Sequence, residues 1–375
     1  MRGNIKQRSK GSWRLRYDGP LLPGGGRKQI TETVRGTRTQ AEAVLRERLT
    51  GLEHGNFVPK TSETFGAFMG RWLNEYAFTN CSPRTVQGYR GNFVRYIQPA
   101  IGGIPLQALM PGHVQGLYGD MQKRGLSAGT VLAVHRIIHE SLGHALKWGL
   151  VSRNVSEATT PPRLKNGPVR AWDSRAVDRF LQAADGSEHR DYFHAALLLG
   201  LRRSELVGLK WDVVDLDAAQ LRVVRTLQRL TKQGLVEGLP KTTSSRRTVA
   251  LGSAVGLLRR VRLRQMEARL RAGPLWVDTG YVFTGPLGLP LEPDNLTHAF
   301  QDIVRAAGLP PLTLHGARHT MATLMLAAGV NPKVVSERLG HAGVAITLAI
   351  YQAVLPGMQE AAAIKLDEIL AAGRA

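Results

Sequence analysis

Residues 161–168 read Pro-Pro-Arg-Leu-Lys-Asn-Gly-Pro. Proline lacks the amide hydrogen that a helix interior or a central strand needs, and it pushes the preceding residue out of the helical region. Such a stretch reads as a linker, so the chain must fold as separate units on either side of it. With 375 residues, the chain has room for two or three domains and a sizeable core.

Upstream of the linker the apolar pattern is helical. Phe65, Phe68, Met69, Trp72, Leu73 and Tyr76 fall on one helix face. Ser82-Pro83 is an N-cap followed by a first-turn proline, and Val86, Tyr89, Phe93 and Tyr96 continue at helical spacing. Pro111 to Lys123 gives a third helix. Ser127 starts a fourth, with Val131, Val134, Ile138, Leu142 and Ala145 on one side. Residues 62–160 are therefore expected to form a four-helix unit, its aromatic stripe serving as core. His135, His139 and His144 lack carboxylate or cysteine companions, which argues against a metal site.

Residues 1–55 differ. Trp13-Arg14-Leu15-Arg16-Tyr17 alternates with the period of a strand, residues 23–26 read as a turn, and Gln29 to Val34 alternates again. Thr39 is expected to cap a helix from Gln40 to Leu52. A small sheet on one helix follows. Arg14 and Arg16 share one strand face, where a β-ribbon could present them to a DNA major groove or simply to solvent.

Charge points to the partner. The net charge is +21, divided as +8, +4 and +9 over residues 1–60, 61–162 and 163–375. A basic excess spread over all three regions suits extended contact with nucleic acid better than a single membrane-binding tail does. The lone Cys81 excludes an internal disulfide and a multi-cysteine zinc site. No stretch approaches the ~18 apolar residues of a membrane span. Met1 to Lys10 is polar and basic, unlike a secretory signal, so a cytoplasmic protein is expected.

The chemistry lies in residues 169–375. Helices are expected over Asp173 to Ala184 and Asp191 to Leu201, and strands over Leu221 to Leu227 and Ser245 to Leu251. Gly200-Leu201-Arg202-Arg203-Ser204-Glu205 sets a guanidinium three residues before a carboxylate, either a surface ion pair or an arginine held from behind and aimed at phosphate. Lys241 falls between the two strands, on a hairpin where a flexible cation can reach a groove or remain solvated. Residues 255–271 form an arginine-rich helix, read as a solvated face. Leu312 to Tyr351 then supplies His315, Arg318, His319, His341 and a phenol. His315 and His319 have the spacing of zinc ligands, but a zinc protease needs Glu after the first His, where this chain has Gly316. A phenol has an ordinary pKa of about 10 and becomes a nucleophile only with help. Cationic and imidazole neighbours suit attack by Tyr351 on a phosphodiester.

Gly-Leu-Arg202-x-x-Glu, Pro-Lys241-Thr ahead of Ser-Arg-Arg-Thr-Val, His315-x-x-Arg318-His319, and Leu-Gly-His341 followed by Tyr351 occur in that order. The chain thereby resembles the tyrosine recombinase family of phage and integrative-element integrases. Departures from its pattern are Leu199 before Gly200, and Gly316-Ala317 where bulkier residues are common. The resemblance implies a multidomain, mainly α architecture. Its parts would be an arm-type DNA-binding domain of sheet plus helix (1–55), a helical core-binding domain (62–160) and an α+β catalytic domain (169–375). It implies site-specific recombination for integration and excision of a mobile element. Tyr351 would be the nucleophile and form a 3′-phosphotyrosyl enzyme. Arg202 and Arg318 would neutralise the phosphate oxygens, with His315 taking the tyrosine proton, His341 positioning the phosphate, and Lys241 protonating the leaving 5′ oxygen. No ATP or metal is implied. The partners would be double-stranded attachment sites, three further copies in a tetramer on DNA, and accessory DNA-bending or excision factors. A terminal helix over residues 357–371 would pack at home or on a neighbouring protomer. Two other readings share parts of this pattern: a type IB topoisomerase-like nicking-closing enzyme, and a catalytically idle DNA-binding regulator.

Overall fold

The structure is a computed structural model. It describes residues 3–22, 26–53, 58, 60–164, 170–240, 245–341, 343–345, 347–348, 363–364, 366–367 and 370–371. The chain divides into two compact units, Met1–Lys165 and Asn166–Ala375. Helices predominate, with small antiparallel sheets in both units. Among the described residues, no helix is long and apolar enough to cross a membrane.

The first unit opens with a three-stranded antiparallel sheet, β1 (Gly3–Ser9), β2 (Ser12–Leu22) and β3 (Gly26–Arg35), in that order. β1 was not expected from its polar sequence; it forms by pairing with β2, Lys6 opposite Arg14 and Asn4 opposite Arg16. One sheet face buries Leu15 and Tyr17 against Ala41, Leu45 and Leu52 of α1 (Arg38–Glu53). The cap of α1 corrects the expected Thr39. Thr37 Oγ1 accepts from the Gln40 amide at 3.2 Å, and the Gln40 side chain accepts from the Thr37 amide at 2.8 Å. This reciprocal pair satisfies two amides at once, which Thr39 could not do.

A separate apolar cluster in the same unit is helical. α2 (Phe65–Trp72) is capped by Thr64 and continues through a π-helical turn (Leu73–Ala77) into α3 (Phe78–Asn80). α4 (Pro83–Asn92) passes through a second π turn (Phe93–Ile97) into α5 (Gln98–Ile101). α6 (Pro111–Lys123) and α7 (Ala128–Lys147) occupy the expected positions, and Ser127 caps α7. Phe65, Phe68, Met69 and Trp72 are wholly buried, and Trp72 stacks with both Tyr76 and Tyr89. Each such side chain contributes roughly 1.5–3 kcal/mol by leaving water. The three histidines serve this packing. Nδ1 of His135, His139 and His144 lies 2.7 Å from Tyr118 Oη, 2.9 Å from Ser156 Oγ and 3.1 Å from Trp72 Nε1, respectively.

In the second unit, α8 (Ser174–Ala184), capped by Asp173, and α12 (Pro293–Ala306) pack beside α9 (Arg190–Leu199) through Trp172, Phe180, Phe193 and Phe300. α9 ends at Gly200 in the left-handed region (φ 62°), where an added Cβ would meet Met321 Cε at 1.8 Å. α10 (Arg203–Val207) follows. β4 (Val214–Asp215), β5 (Gln220–Val223) and β8 (Arg247–Ala250) form one sheet, with Val223 opposite Arg247. Between β5 and β8 lies a second hairpin, β6 (Thr226–Leu230) and β7 (Gly234–Gly238). Where the sequence predicts one strand over Leu221 to Leu227, the chain forms two, β5 and β6, and adds β7. The hairpin turns through Lys232 and Gly234, both at positive φ. The arginine-rich α11 (Ala254–Ala272) covers α9 with Leu257, Leu258 and Val261, while Arg259, Arg264 and Arg269 pair with Asp217, Asp191 and Asp278. α13 (Leu314–Ala327) and α14 (Pro332–Leu339) then carry the histidine–arginine box and the segment leading to His341. Of the expected terminal helix, residues 363–364, 366–367 and 370–371 are helical; the others lie outside the described residues.

Candidate active site

Arg202 sits at the junction of α9 and α10, as the N-cap of α10. The left-handed Gly200 turns the chain so that Arg202 leaves the apolar run of α9 and faces the start of the next helix. Its backbone amide donates to Glu205 Oε2 at 2.9 Å and its Nη1 to Glu205 Oε1 at 2.7 Å. The interaction is not a surface pair, because Glu205 is buried, 3% exposed. Burial alone would raise the Glu205 pKa, but hydrogen bonds from Arg247 and Arg202 outweigh it and hold the carboxyl below its usual range. Arg202 Nη2 donates to the Gly340 carbonyl at 2.8 Å. About a third of its side-chain surface, 34%, stays open.

Arg318 comes to the same place from α13. It is 2% exposed and donates to the Gly200 carbonyl at 2.7 Å and to the Leu339 carbonyl. Burial and the like charge of Arg202 lower its pKa to about 9, which leaves it cationic at neutral pH. Gly340, at φ 64°, ends α14 and aims His341 back toward the arginines. His341 Nδ1 lies 2.9 Å from Thr347 Oγ1, so the other ring nitrogen is the one that can meet a phosphate. Burial, then Arg318 and Arg202, push the His341 pKa down to about 4. His315 is also lowered to about 4, by burial first, then by His319, Arg318 and Arg202. Its ring meets His319 edge to face, centroids 4.7 Å apart. The imidazoles of His315 and His341 are neutral at physiological pH, able to take a proton or donate a hydrogen bond.

The Gly316 departure noted in the sequence has a packing reason: a Cβ there would lie 2.6 Å from Leu312 Cδ1. Beside this turn a cavity of about 800 Å³ is bordered by Arg170, Arg305, Thr313, His315 and His319. Lys241 and Tyr351 lie outside the described residues. The described strand β7 ends at Gly238, three residues before Lys241. Arg14 and Arg16 are exposed on the central strand of the N-terminal sheet, on the face opposite Leu15 and Tyr17, flanked by Lys6, Asn4, Thr33 and Thr31.

Residues 172–357 match the Phage integrase family model, and residues 64–122 match that of the phage integrase N-terminal SAM-like domain. A tyrosine recombinase XerC-like protein of Caldanaerobacter subterraneus subsp. tengcongensis is 30% identical over 352 residues, covering 89% of this chain and 90% of that protein. The chain belongs to the tyrosine recombinase family. It is a site-specific DNA recombinase. An integrase of Streptomyces ambofaciens is 28% identical across 99% of both chains. The fold is shared with the Tn1549 transposon integrase, solved in complex with a circular intermediate DNA, at a TM-score of 0.69 and 20% identity over 82% of this chain and all of that one.

Arg247, which no motif in the sequence singles out, also reaches this site of the recombinase. It donates to both Glu205 oxygens, at 3.3 and 3.0 Å, and to the Arg338 carbonyl at 2.6 Å. Its signal in the chain is weak: it follows Arg246 directly and opens the four-residue strand β8, where alternation puts it on the same face as buried Val249.

Proposed function

We propose that this recombinase integrates and excises a mobile element by cutting and rejoining DNA through Tyr351. The tyrosine oxygen bonds to the scissile phosphorus and the bond to the 5′ oxygen breaks, leaving a 3′-phosphotyrosyl enzyme and a 5′-hydroxyl. Arg202 and Arg318 neutralise the non-bridging oxygens as charge builds. Neutral His315 takes the tyrosine proton, His341 hydrogen-bonds the phosphate, and Lys241 protonates the departing 5′ oxygen. Guanidinium groups take the charge-neutralising role, so no step calls for a metal or ATP.

The observation that carries this reading is the convergence of Arg202 and Arg318 on the consecutive carbonyls of Leu339 and Gly340, immediately before His341. Exchange between two duplexes requires four strand cuts, one per nucleophile, which supports a tetramer on DNA. The exposed arginine-bearing face of the N-terminal sheet supports a separate arm-type site for residues 1–55, with residues 62–160 and 169–375 as core-binding and catalytic domains. Cytoplasmic location and accessory DNA-bending or excision factors follow from the same reading.

Tyr351→Phe removes only the nucleophilic oxygen. It should abolish the denaturation-resistant protein–DNA adduct and leave DNA binding within about twofold of the parent. An adduct formed by the Phe variant would refute the assignment.

A further inference from the structure

Glu205 accepts four hydrogen bonds, two on each oxygen. Arg202 Nη1 and Arg247 Nη1 reach Oε1 at 2.7 and 3.3 Å, while the Arg202 amide and Arg247 Nη2 reach Oε2 at 2.9 and 3.0 Å. Two guanidinium groups thus share one buried carboxylate. Arg247 also donates from Nε to the Arg338 carbonyl at 2.6 Å and from Nη1 to the Ser245 carbonyl at 3.0 Å. Three successive carbonyls at the end of α14 are therefore held by three different arginines: residue 338 by Arg247, 339 by Arg318 and 340 by Arg202. The last carbonyls of a helix lack intrahelical partners and carry partial negative charge, so they attract cations.

We propose that Arg247 is a positioning residue for strand cleavage: it fixes Glu205 and the last turn of α14, and through them the guanidinium of Arg202 and the ring of His341. Only 7% of its side-chain surface is exposed, against 34% for Arg202, so it stays behind the site while Arg202 meets the phosphate. Its own place is set by the β5–β8 pairing, Val223 opposite Arg247, which anchors it independently of α14. Without Arg247, Glu205 keeps only its two bonds to Arg202 and the Arg338 carbonyl loses this donor. Glu205, which backs Arg202, is then held by Arg202 alone, although no group that would touch DNA has been altered. The proposal rests on Arg202 being the phosphate clamp.

The test uses the full chain in single-turnover cleavage of two suicide duplexes. One carries the ordinary scissile phosphate; in the other, a methyl group replaces one non-bridging oxygen. The methylphosphonate is neutral, so less charge builds and the need for Arg202 shrinks. Arg247→Met should slow cleavage of the ordinary duplex by about 10–100-fold with DNA affinity little changed, and the deficit should shrink by about tenfold on the methylphosphonate. Arg202→Ala should be relieved in the same way, and Arg247→Lys, which keeps the charge and part of the hydrogen bonding, should be intermediate. If the Met variant fails to fold, as read by thermal unfolding, the Lys variant carries the same two-substrate comparison. An Arg247 deficit equal on both substrates, beside a relieved Arg202→Ala, overturns the proposal and leaves the clamp standing. An unrelieved Arg202→Ala removes the clamp reading and the proposal with it.

Discussion

Replacing Glu205 by glutamine keeps the shape of the side chain and removes its charge. The carboxylate accepts two donors on each oxygen. A glutamine presents one oxygen and one amino group, and either orientation turns the amino group toward two donors. Two bonds from charged or backbone donors are lost, at roughly 1.5–3 kcal/mol for each charged one, and two cations remain beside a neutral group. Breaking a buried ion pair by removing one partner costs about 3–5 kcal/mol, and the same range is expected here. For a unit of this size that corresponds to a drop of about 6–20 °C in melting temperature. The variant should also respond less to acid. The Glu205 pKa is lowered in the folded state, so its contribution is complete above the ordinary carboxylate range and fades as pH falls through the folded value. The glutamine variant should lack that part of the acid sensitivity. Urea unfolding at several pH values, with single-turnover cleavage on the same preparations, checks both consequences. Cleavage should fall about 100-fold as Arg202 loses its support. A variant melting within about 2 °C of the parent and cleaving within about threefold would show the carboxylate to be a bystander.

Lys241→Ala should be nearly inactive on ordinary DNA and substantially restored when sulfur replaces the bridging 5′ oxygen, because a thiolate leaves without a general acid (thiol pKa about 8.5); absence of rescue would take Lys241 out of that role. His315 and His341, both held near pKa 4, are neutral in the folded protein across the window where unfolded histidines, at about 6.5, gain protons. Folding stability should therefore decline as pH falls from about 6.5 toward 4, and His315→Asn with His341→Asn should flatten that slope, as read by urea unfolding. Arg14→Ala with Arg16→Ala should weaken binding of an arm-type duplex and flatten its dependence on salt by roughly two phosphate contacts, leaving cleavage of a short core duplex unchanged. An unaltered arm affinity would place those arginines among solvated residues.

The parts of the fold written in local chemistry were legible from the chain alone. Ser82, Ser127 and Asp173 cap helices because each offers an oxygen to an amide a turn ahead, a property of a few neighbouring residues. Gly200-Leu201-Arg202 and His315-x-x-Arg318 are each ambiguous alone and point to one chemistry only through their order along the chain. What stayed hidden depends on partners distant in sequence. β1 is a polar run with no alternation of its own and exists only through β2. The β6–β7 hairpin interrupts a sheet whose partners β5 and β8 are separated by more than twenty residues, so strand propensity merged β5 with β6. The π turns at Leu73–Ala77 and Phe93–Ile97 leave the apolar stripe intact and shift only the hydrogen-bonding step. Arg247 stands beside Arg246 in the chain, and only burial on β8 separates their roles.

The binding of three arginines to three carbonyls at the end of α14 has a thermodynamic consequence. A long side chain fixed in one rotamer loses up to about 2 kcal/mol of conformational freedom. Here that ordering is completed during folding, so arriving DNA meets a preformed electrostatic template. On the proposed mechanism Arg202 and Arg318 would face the phosphorus whether Tyr351 attacks it or a 5′-hydroxyl returns, and would lower both barriers alike. The balance between cut and rejoined strands is then left to the DNA, through base pairing and supercoiling around the junction.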